Sequence, residues 1–305
     1  MTAILAILPV ILVILTGFLS VRTGLVPRVH WAGIEEMAYR ILFPAILIVS
    51  IWRSDLGAGR MGAYVAALFL ALAVAAGVVI ALRSLVARSK LPDPAFTTLF
   101  QTVTRWNAFI AFAIMQQISG DAGVALIAIG MAVLIPPINI VNVIVLASFG
   151  PSQIKPAAIV SNIARNPLVI GCAIGIALNL LAVPLPGPIG ATLDLVGRAA
   201  LAVGILAVGA GIEPARLWRR SGVMWTGVTM RMAMCPALFF LTGTAFDLPA
   251  DQMIAGLVTL AVPAAANGYI VARRMGGDAE LYADILTWQT ILSAITVPAL
   301  LWVFL

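Results

Sequence analysis

The sequence predicts an all-α polytopic membrane protein with ten transmembrane helices, arranged as two inverted repeats of five helices. Its composition, the charges of its loops and a motif that occurs in both halves predict this fold. Of the 305 residues, 62% are apolar and only 10% are charged. Apolar runs of about 20 residues, long enough to cross a bilayer, recur from end to end. No stretch is polar enough to form a separate soluble domain.

Ten spans follow from the apolar runs between loop signals, with bounds that are soft by a few residues. They lie near residues 3–21, 30–52, 62–82, 95–118, 123–148, 166–182, 188–212, 222–246, 251–272 and 281–304. The first span has neither a basic n-region nor a small-residue cleavage site. We therefore expect it to be retained in the mature protein and not to act as a secretory signal.

Lysine and arginine are distributed unevenly between the loops. Twelve follow spans one, three, five, seven and nine: Arg22, Arg28, Arg83, Arg88, Lys90, Lys155, Arg165, Arg216, Arg219, Arg220, Arg273 and Arg274. The loops on the other side contain only Arg53 and Arg60. Because basic loops stay in the cytoplasm, this split predicts a multi-pass protein of the cell (inner) membrane with both termini on the non-cytoplasmic side. The net charge of +6 reflects topology and not a nucleic-acid surface, since the basic residues form no patch.

A short motif occurs in both halves of the chain. Asn107 to Ile110 reads Asn-Ala-Phe-Ile, and Asn267 to Ile270 reads Asn-Gly-Tyr-Ile. Each copy is followed by a methionine and then by the triplet Gly-Asp-Ala. Five spans per half, an odd number, orient the two halves oppositely. The expected division is therefore a first repeat of residues 1–150 and a second repeat of residues 151–305, joined near Gly150 to Pro156.

An acidic residue followed four positions later by an arginine occurs at matching places in spans two and seven. The pairs are Glu36 with Arg40, and Asp194 with Arg198. Residues at this spacing lie on one helix face. We therefore expect each pair to form an ion pair along its own helix.

Candidate substrate-binding residues lie in spans four, five and nine. They are Arg105, Asn107, Asn139, Asn142, Pro263, Asn267, Gly268 and Tyr269. In span nine, Pro263 removes a helix hydrogen bond and small residues follow it, which favours a broken helix near Asn267. A break frees half-helix ends, and the positive end of one half can hold an anion. The alternative is an ordinary kink at Pro263, with Asn267 bonded to a neighbouring helix.

Arg105 lies with Asn107 at the middle of span four. An arginine at the bilayer midplane costs at least about 2.5 kcal/mol on insertion scales, so it faces a cavity or a partner. Its guanidinium offers a forked pair of donors that suits a carboxylate. The alternative is a salt bridge, or snorkelling toward a water-filled vestibule. Asn139 and Asn142 in span five form another polar patch, which either lines the site or joins helices.

Signatures of enzymes are absent from the sequence. His30 is the only histidine, which excludes a histidine-containing metal cluster and argues against a Ser-His dyad. There is no Walker loop, so the chain is not expected to hydrolyse ATP. We expect no enzymatic activity, no cofactor and no metal site.

The residues from Pro263 to Leu286, PAAANGYIVARRMGGDAELYADIL, resemble the ninth span and following loop of the auxin efflux carrier family. That family includes plant PIN-type carriers and bacterial permeases associated with malonate or malate. Arg105, Trp106 and Asn107 resemble the Arg-Gly-Asn of its fourth span, and Phe43-Pro44 and Asn166-Pro167 also look like family positions. The resemblance covers essentially the whole chain, and the span-nine segment is its specific part.

This resemblance implies a fold similar to that of bile-acid sodium symporters and NhaA-like transporters. Spans one, two, six and seven would form a scaffold, and spans three to five and eight to ten a transport unit. Spans four and nine would cross as broken helices with the substrate at the crossing. An elevator-like movement and a homodimer are implied as well. One departure is that Ala111 to Ile114 follow the span-four asparagine, where the family commonly has Gly and Pro.

The expected function is secondary active transport of a small organic anion by alternating access around Arg105, Asn107 and Asn267. The bacterial relatives suggest a dicarboxylate. Alternatives within the class are an amphipathic aromatic acid such as an auxin, and a sodium-coupled, bile-acid-like substrate. A non-transporting membrane sensor or subunit and a channel are alternatives from other classes, although the short loops argue against a sensor. The direction of transport and the coupling ion, H⁺ or Na⁺, stay open.

Overall fold

The computed structural model describes residues 3–54, 58–149 and 164–303, and every regular element within these ranges is helical. In the first half, the helices are α1 (Ala3–Arg22), α2 (Arg28–Met37), α3 (Phe43–Arg53), α4 (Ala58–Leu85), α5 (Asp93–Thr104) and α6 (Ala108–Phe149). In the second half, they are α7 (Pro167–Leu180), α8 (Gly187–Ala210), α9 (Gly222–Thr229), α10 (Cys235–Ala245), α11 (Ala250–Ala261), α12 (Gly268–Met275) and α13 (Ala279–Trp302). The predicted joint at Gly150 to Pro156 lies outside the described residues.

Five helical stretches of the described chain are long and apolar enough to cross a membrane. They are Met61–Leu85, Asp93–Phe149, Gly187–Ala210, Gly222–Ala245 and Ala279–Trp302. Shorter apolar helices cover Ile7–Arg22, Pro167–Leu180 and Ala250–Ala261. These helices confirm the prediction of an all-helical polytopic membrane protein. The count of ten crossings and the inverted repeat stay predictions.

Two of the helical rods contain a π turn, and in each case a proline explains it. Ala38–Leu42 joins α2 to α3, and Met230–Met234 joins α9 to α10. Pro44 and Pro236 follow these turns at the start of α3 and α10. A proline has no N–H to donate and its ring clashes with the carbonyl four residues earlier. The wider π turn accommodates that clash without ending the rod.

Gly120 divides α6 into two arms, residues 108–119 and 121–149. Its backbone angles, φ 57° and ψ −142°, are not helical. A positive φ is readily adopted only by glycine, because it has no Cβ. The predicted spans four and five are therefore separated at this residue.

Helices α1 and α8 pack at backbone contact through two glycines. A Cβ at Gly17 would overlap the carbonyl of Leu206, and one at Gly209 would overlap the carbonyl of Ile14. Small residues at helix interfaces let backbones approach closely inside a membrane, where dispersion and not water exclusion drives association. This contact joins the first helix of the chain to the second half.

Helices α5 and α11 are the most enclosed elements of the fold. Ten of the 12 residues of each are buried, including the polar side chains of Gln101 in α5 and Gln252 in α11. A helix that is covered on all sides lies inside the protein and not against lipid. The two short helices thus run through the interior, and both end there.

Several charged side chains outside these buried helices form ion pairs. Arg40 bonds Glu36 at 2.7 Å and Arg198 bonds Asp194 at 2.8 Å, which confirms the two predicted i,i+4 pairs. Among the basic loops, Arg216 contacts Glu213, Glu280 and Asp284 and so joins the turn Pro214–Trp218 to α13. Partial burial by itself would lower the pKa of Arg216, but the hydrogen bonds to its three carboxylate partners reverse the direction and raise it.

Candidate functional site

Two helix breaks meet in the interior of the protein. Helix α5 ends at Thr104 and α6 begins at Ala108, while α11 ends at Ala261 and α12 begins at Gly268. The backbone N–H of Asn107 in the first break donates to the carbonyl of Pro263 in the second, at 2.7 Å. Span four is therefore broken as well as span nine, although it has no proline or glycine at the break.

A fully buried arginine of the second π turn, Arg231, holds the ends of both broken helices. Its Nη1 donates to the carbonyl of Val103 at 3.1 Å, near the end of α5. Its Nη2 and Nε donate to the carbonyls of Thr259 and Val262 at 2.8 Å each, at the end of α11. Sequence reasoning did not assign Arg231 to the site. The signal that could have found it was a charge inside the apolar run of span eight.

Gln289 of α13 joins the backbone of the second break to that of α9. Its Oε1 accepts from the N–H of Ala264 at 2.9 Å, and its Nε2 donates to the carbonyl of Gly227 at 3.1 Å. The same Nε2 lies 3.5 Å from the carbonyl of Thr102. A buried backbone group without a partner is costly, so these contacts stabilise the break.

Asn142, a predicted site residue, joins the second arm of α6 to the end of α5. Its Nδ2 donates to Thr104 Oγ1 at 3.0 Å and to the carbonyl of Ile138 at 2.8 Å, and the residue is fully buried. These are helix-joining contacts, the second of the two roles expected for it. Asn139 is half-buried, and its side chain has no hydrogen bond to any described residue.

Arg105 is buried beside the crossing without a counter-ion. The residue is only 8% exposed, and its guanidinium has neither an ion pair nor a hydrogen bond in the described part of the chain. Its Nε, and Nε1 of the neighbouring Trp106, are buried donors without an acceptor. The phenols of Tyr39 and Tyr282 lie near Arg105. A buried, charged donor without an acceptor is a candidate position for an anionic ligand.

The start of α6, three residues after Arg105, has further free donors. Asn107 is buried, and its Oδ1 accepts from the N–H of Ile110 at 3.3 Å, which caps the helix. The N–H groups of Ala108 and Phe109 have no partner among the described residues. The N-terminus of a helix carries a partial positive charge. Free N–H groups there form a ready anion site.

The second copy of the motif is built differently. Asn267 is exposed and makes no capping hydrogen bond. The first N–H groups of α12 are already paired, since Gly268 donates to Ala265 at 3.1 Å and Tyr269 to Ala266 at 3.2 Å. The start of α12 is therefore less available to an anion than the start of α6.

Tyr282 of α13 packs behind this second break. Its hydroxyl donates to the carbonyl of Ala265 at 2.6 Å, and its ring lies against Gly268 so closely that a Cβ there would overlap it. Tyr269 is half-buried in the same cluster, with Ala264 and Ala272. The structure thus brings Gly268 and Tyr269 together around Tyr282, which in turn lies near Arg105.

Tyr39 and Asn166 connect the site to the remaining helices. The Tyr39 phenol lies near both Arg105 and the side chain of Asn166. Asn166 caps α7, because its Oδ1 accepts from the N–H of Leu168 at 2.9 Å. Asn166 resembled a family position by sequence, whereas Tyr39 gave no signal beyond a polar group in an apolar span.

A cavity of about 610 Å³ lies away from these residues, between α3 and α8 on one side and α6 on the other. Arg53, Asp194 and Arg198 line one wall, and Gln116 and Asp121 line the opposite wall. Phe109 stacks on Phe43 with ring centroids 4.1 Å apart, one turn of α3 before Ile46 of the cavity wall.

The described residues contain no cluster of side chains that would hold a metal ion.

The fold and the site define a polytopic helical membrane protein whose two helix breaks meet beside a buried, unpaired arginine. Residues 2–301 match the family model described as membrane transport protein, and the chain belongs to that family. The match confirms the resemblance to auxin efflux carriers. A protein of Rhizobium meliloti (strain 1021) named "Putative malonate transporter" is 26% identical over 218 residues, which are 63% of this chain and 68% of that relative.

Proposed function

We propose that this protein is a secondary active transporter that moves a small organic anion across the cell membrane, with a carboxylate such as malonate as its substrate. The observation that carries the proposal is Arg105, a buried guanidinium without a counter-ion in the described chain. Membership of a transport family and the name of the relative support the class and the substrate.

A carboxylate offers acceptors for donors that the first break leaves unpaired among the described residues. It can accept a forked pair of hydrogen bonds from Arg105. It can accept further ones from Trp106 Nε1 and from the free N–H groups at the start of α6. Burying an unpaired charge costs several kcal/mol, and a bound anion offsets that cost. Asn107 shapes this end of the helix, and the exposed side chain of Asn267 is free to contact the ligand from the second break.

Alternating access by an elevator-like movement fits the way the helices are connected. The bond between Asn107 and Pro263 and the contacts of Arg231 tie spans four, eight and nine into one body. The α1–α8 contact belongs to the proposed scaffold. We include in the proposal ten spans as two inverted repeats with crossed broken helices, both termini on the non-cytoplasmic side, a homodimer, and coupling to H⁺ or Na⁺.

Counterflow in proteoliposomes tests this function. Vesicles loaded with unlabelled malonate should accumulate labelled malonate through the wild-type protein, and Arg105→Gln should abolish the accumulation. Arg40→Gln is the matched control, because that arginine also lies in a span but its side chain is 67% exposed and paired with Glu36. A channel shows no counterflow and a sensor moves nothing. Wild-type exchange by Arg105→Gln would refute the site.

The same vesicles can address substrate and coupling ion. Unlabelled aromatic acids and bile acids compete with labelled malonate if either alternative class is the substrate. Imposing a pH gradient or a sodium gradient shows which ion drives uptake. Absence of exchange with all carboxylates would refute the proposed transport of organic anions.

A further inference from the structure

We propose that Arg231 is a positioning residue of the anion site. It holds the ends of α5 and α11 together and neutralises their partial negative charges. Arg105 then remains at the crossing as a positive charge without a partner among the described residues. The inference deepens the proposed function and rests on it for the meaning of the site. Nothing in the sequence pattern pointed to this role. It follows from three hydrogen bonds of one side chain.

Each guanidinium nitrogen of Arg231 donates one hydrogen bond, and the acceptors come from the ends of two different helices. Nη1 reaches Val103, and Nη2 and Nε reach Thr259 and Val262. The side chain is fully buried and has no ion pair with a described residue. The planar guanidinium fork fixes the relative position of its acceptors. One side chain therefore sets the position of one helix end against the other, and Arg105 directly follows the α5 end.

The charges balance at Arg231 and do not balance at Arg105. The C-terminus of a helix carries roughly half a negative charge, so two such ends together match the charge of one arginine. Arg105 has no comparable acceptors among the described residues: the α5 end that it follows is already held by Arg231, and the positive start of α6 lies three residues further on. Because Arg231 removes the negative potential of the two carbonyl ends, the field at Arg105 favours an anion.

Lysine and methionine at position 231 separate the two parts of this role. Lysine keeps the charge but has one point of donation on a flexible stem, so it cannot hold both helix ends in the same geometry. Methionine keeps the bulk and removes the charge. We expect Arg231→Lys to raise the KM for malonate roughly tenfold. We expect Arg231→Met to raise it further, with a smaller change in maximal rate per folded protein.

Arg40 offers a matched control, since it also lies in a π turn but is exposed and paired with Glu36. Arg40→Lys and Arg40→Met should leave the KM within about twofold of wild type, as surface ion pairs contribute little. A purely structural Arg231 would reduce the amount of folded protein and leave the KM unchanged. That result, or failure of both Arg231 variants to fold, would overturn the positioning role.

Hydrogen exchange separates this proposal from the proposed function. Arg231→Lys should accelerate exchange of the backbone amides in residues 103–107 and 262–267 together, while the amides around Gly120 keep their wild-type rate. This measurement needs no substrate. Faster exchange in both segments, with no carboxylate transported by the wild type, would refute the proposed function but support the positioning role of Arg231. Unchanged exchange in either segment would refute that positioning role, whatever the protein transports.

Discussion

Gly268→Ala tests how tightly the second break is built. Gly268 is the first residue of α12, and a Cβ on it would lie closer to the Tyr282 phenol than the 3.0 Å that real Cβ contacts keep. Tyr282 is fully buried and its hydroxyl donates to Ala265 at 2.6 Å, so the ring has no open space into which to swing. Either the ring moves and loses that bond, or the start of α12 moves.

The cost has two parts. Overpacking of a filled interior costs about 1–3 kcal/mol, and leaving the buried Tyr282 hydroxyl without an acceptor costs about 1–3 kcal/mol more. We therefore expect a loss of about 2–6 kcal/mol, which lowers the melting temperature by about 5 °C or more. Since Tyr282 lies near Arg105, malonate affinity should fall with the stability.

Thermal unfolding of the purified protein in one detergent, followed by tryptophan fluorescence, measures the first effect. Gly77→Ala is the matched control: it lies within α4, and no atom is within 4 Å of its would-be Cβ. Alanine is favoured over glycine in a helix by about 1 kcal/mol, so this control should melt at or above the wild-type temperature. A Gly268→Ala protein that melts with the wild type and binds malonate equally would refute the packing argument.

Two further substitutions address the fold and the crossing. Gly209→Val should lower the melting temperature more than Gly268→Ala, because its Cβ would overlap the backbone carbonyl of Ile14, which cannot move without separating α1 from α8; normal melting would contradict this. Gln289→Leu should cost about 1–3 kcal/mol in thermal unfolding, because it leaves the buried Ala264 N–H unpaired. Wild-type stability of Gln289→Leu would show that this N–H does not need the Gln289 side chain.

The break in span nine could be predicted from sequence, whereas the sharpness of the break in span four could not. Pro263 lacks an N–H and is followed by small residues, so a local rule is enough. Arg105 to Asn107 have no helix breaker. Their break is stabilised by Asn142, Gln289 and Arg231, whose side chains come from other helices and pair the groups around it.

The sequence singles out Arg105 as a candidate site residue but not Arg231, although both are arginines inside apolar runs. The partners of Arg231 are 28, 31 and 128 residues away in the chain. A sequence shows that such a charge needs compensation, but not whether carbonyls or a ligand provide it. Only the fold distinguishes the arginine that is already compensated from the one that is not.

Two broken helices that meet inside a membrane present four ends, two positive and two negative. Side chains pair with some of these ends. The ends that stay unpaired decide the sign of the ligand that the crossing attracts. Here Arg231 covers the ends of α5 and α11, and turn hydrogen bonds occupy the start of α12. The start of α6 keeps free N–H groups and has Arg105 beside it. The two copies of the asparagine motif are therefore not equivalent, and we expect the anion to bind at the first copy.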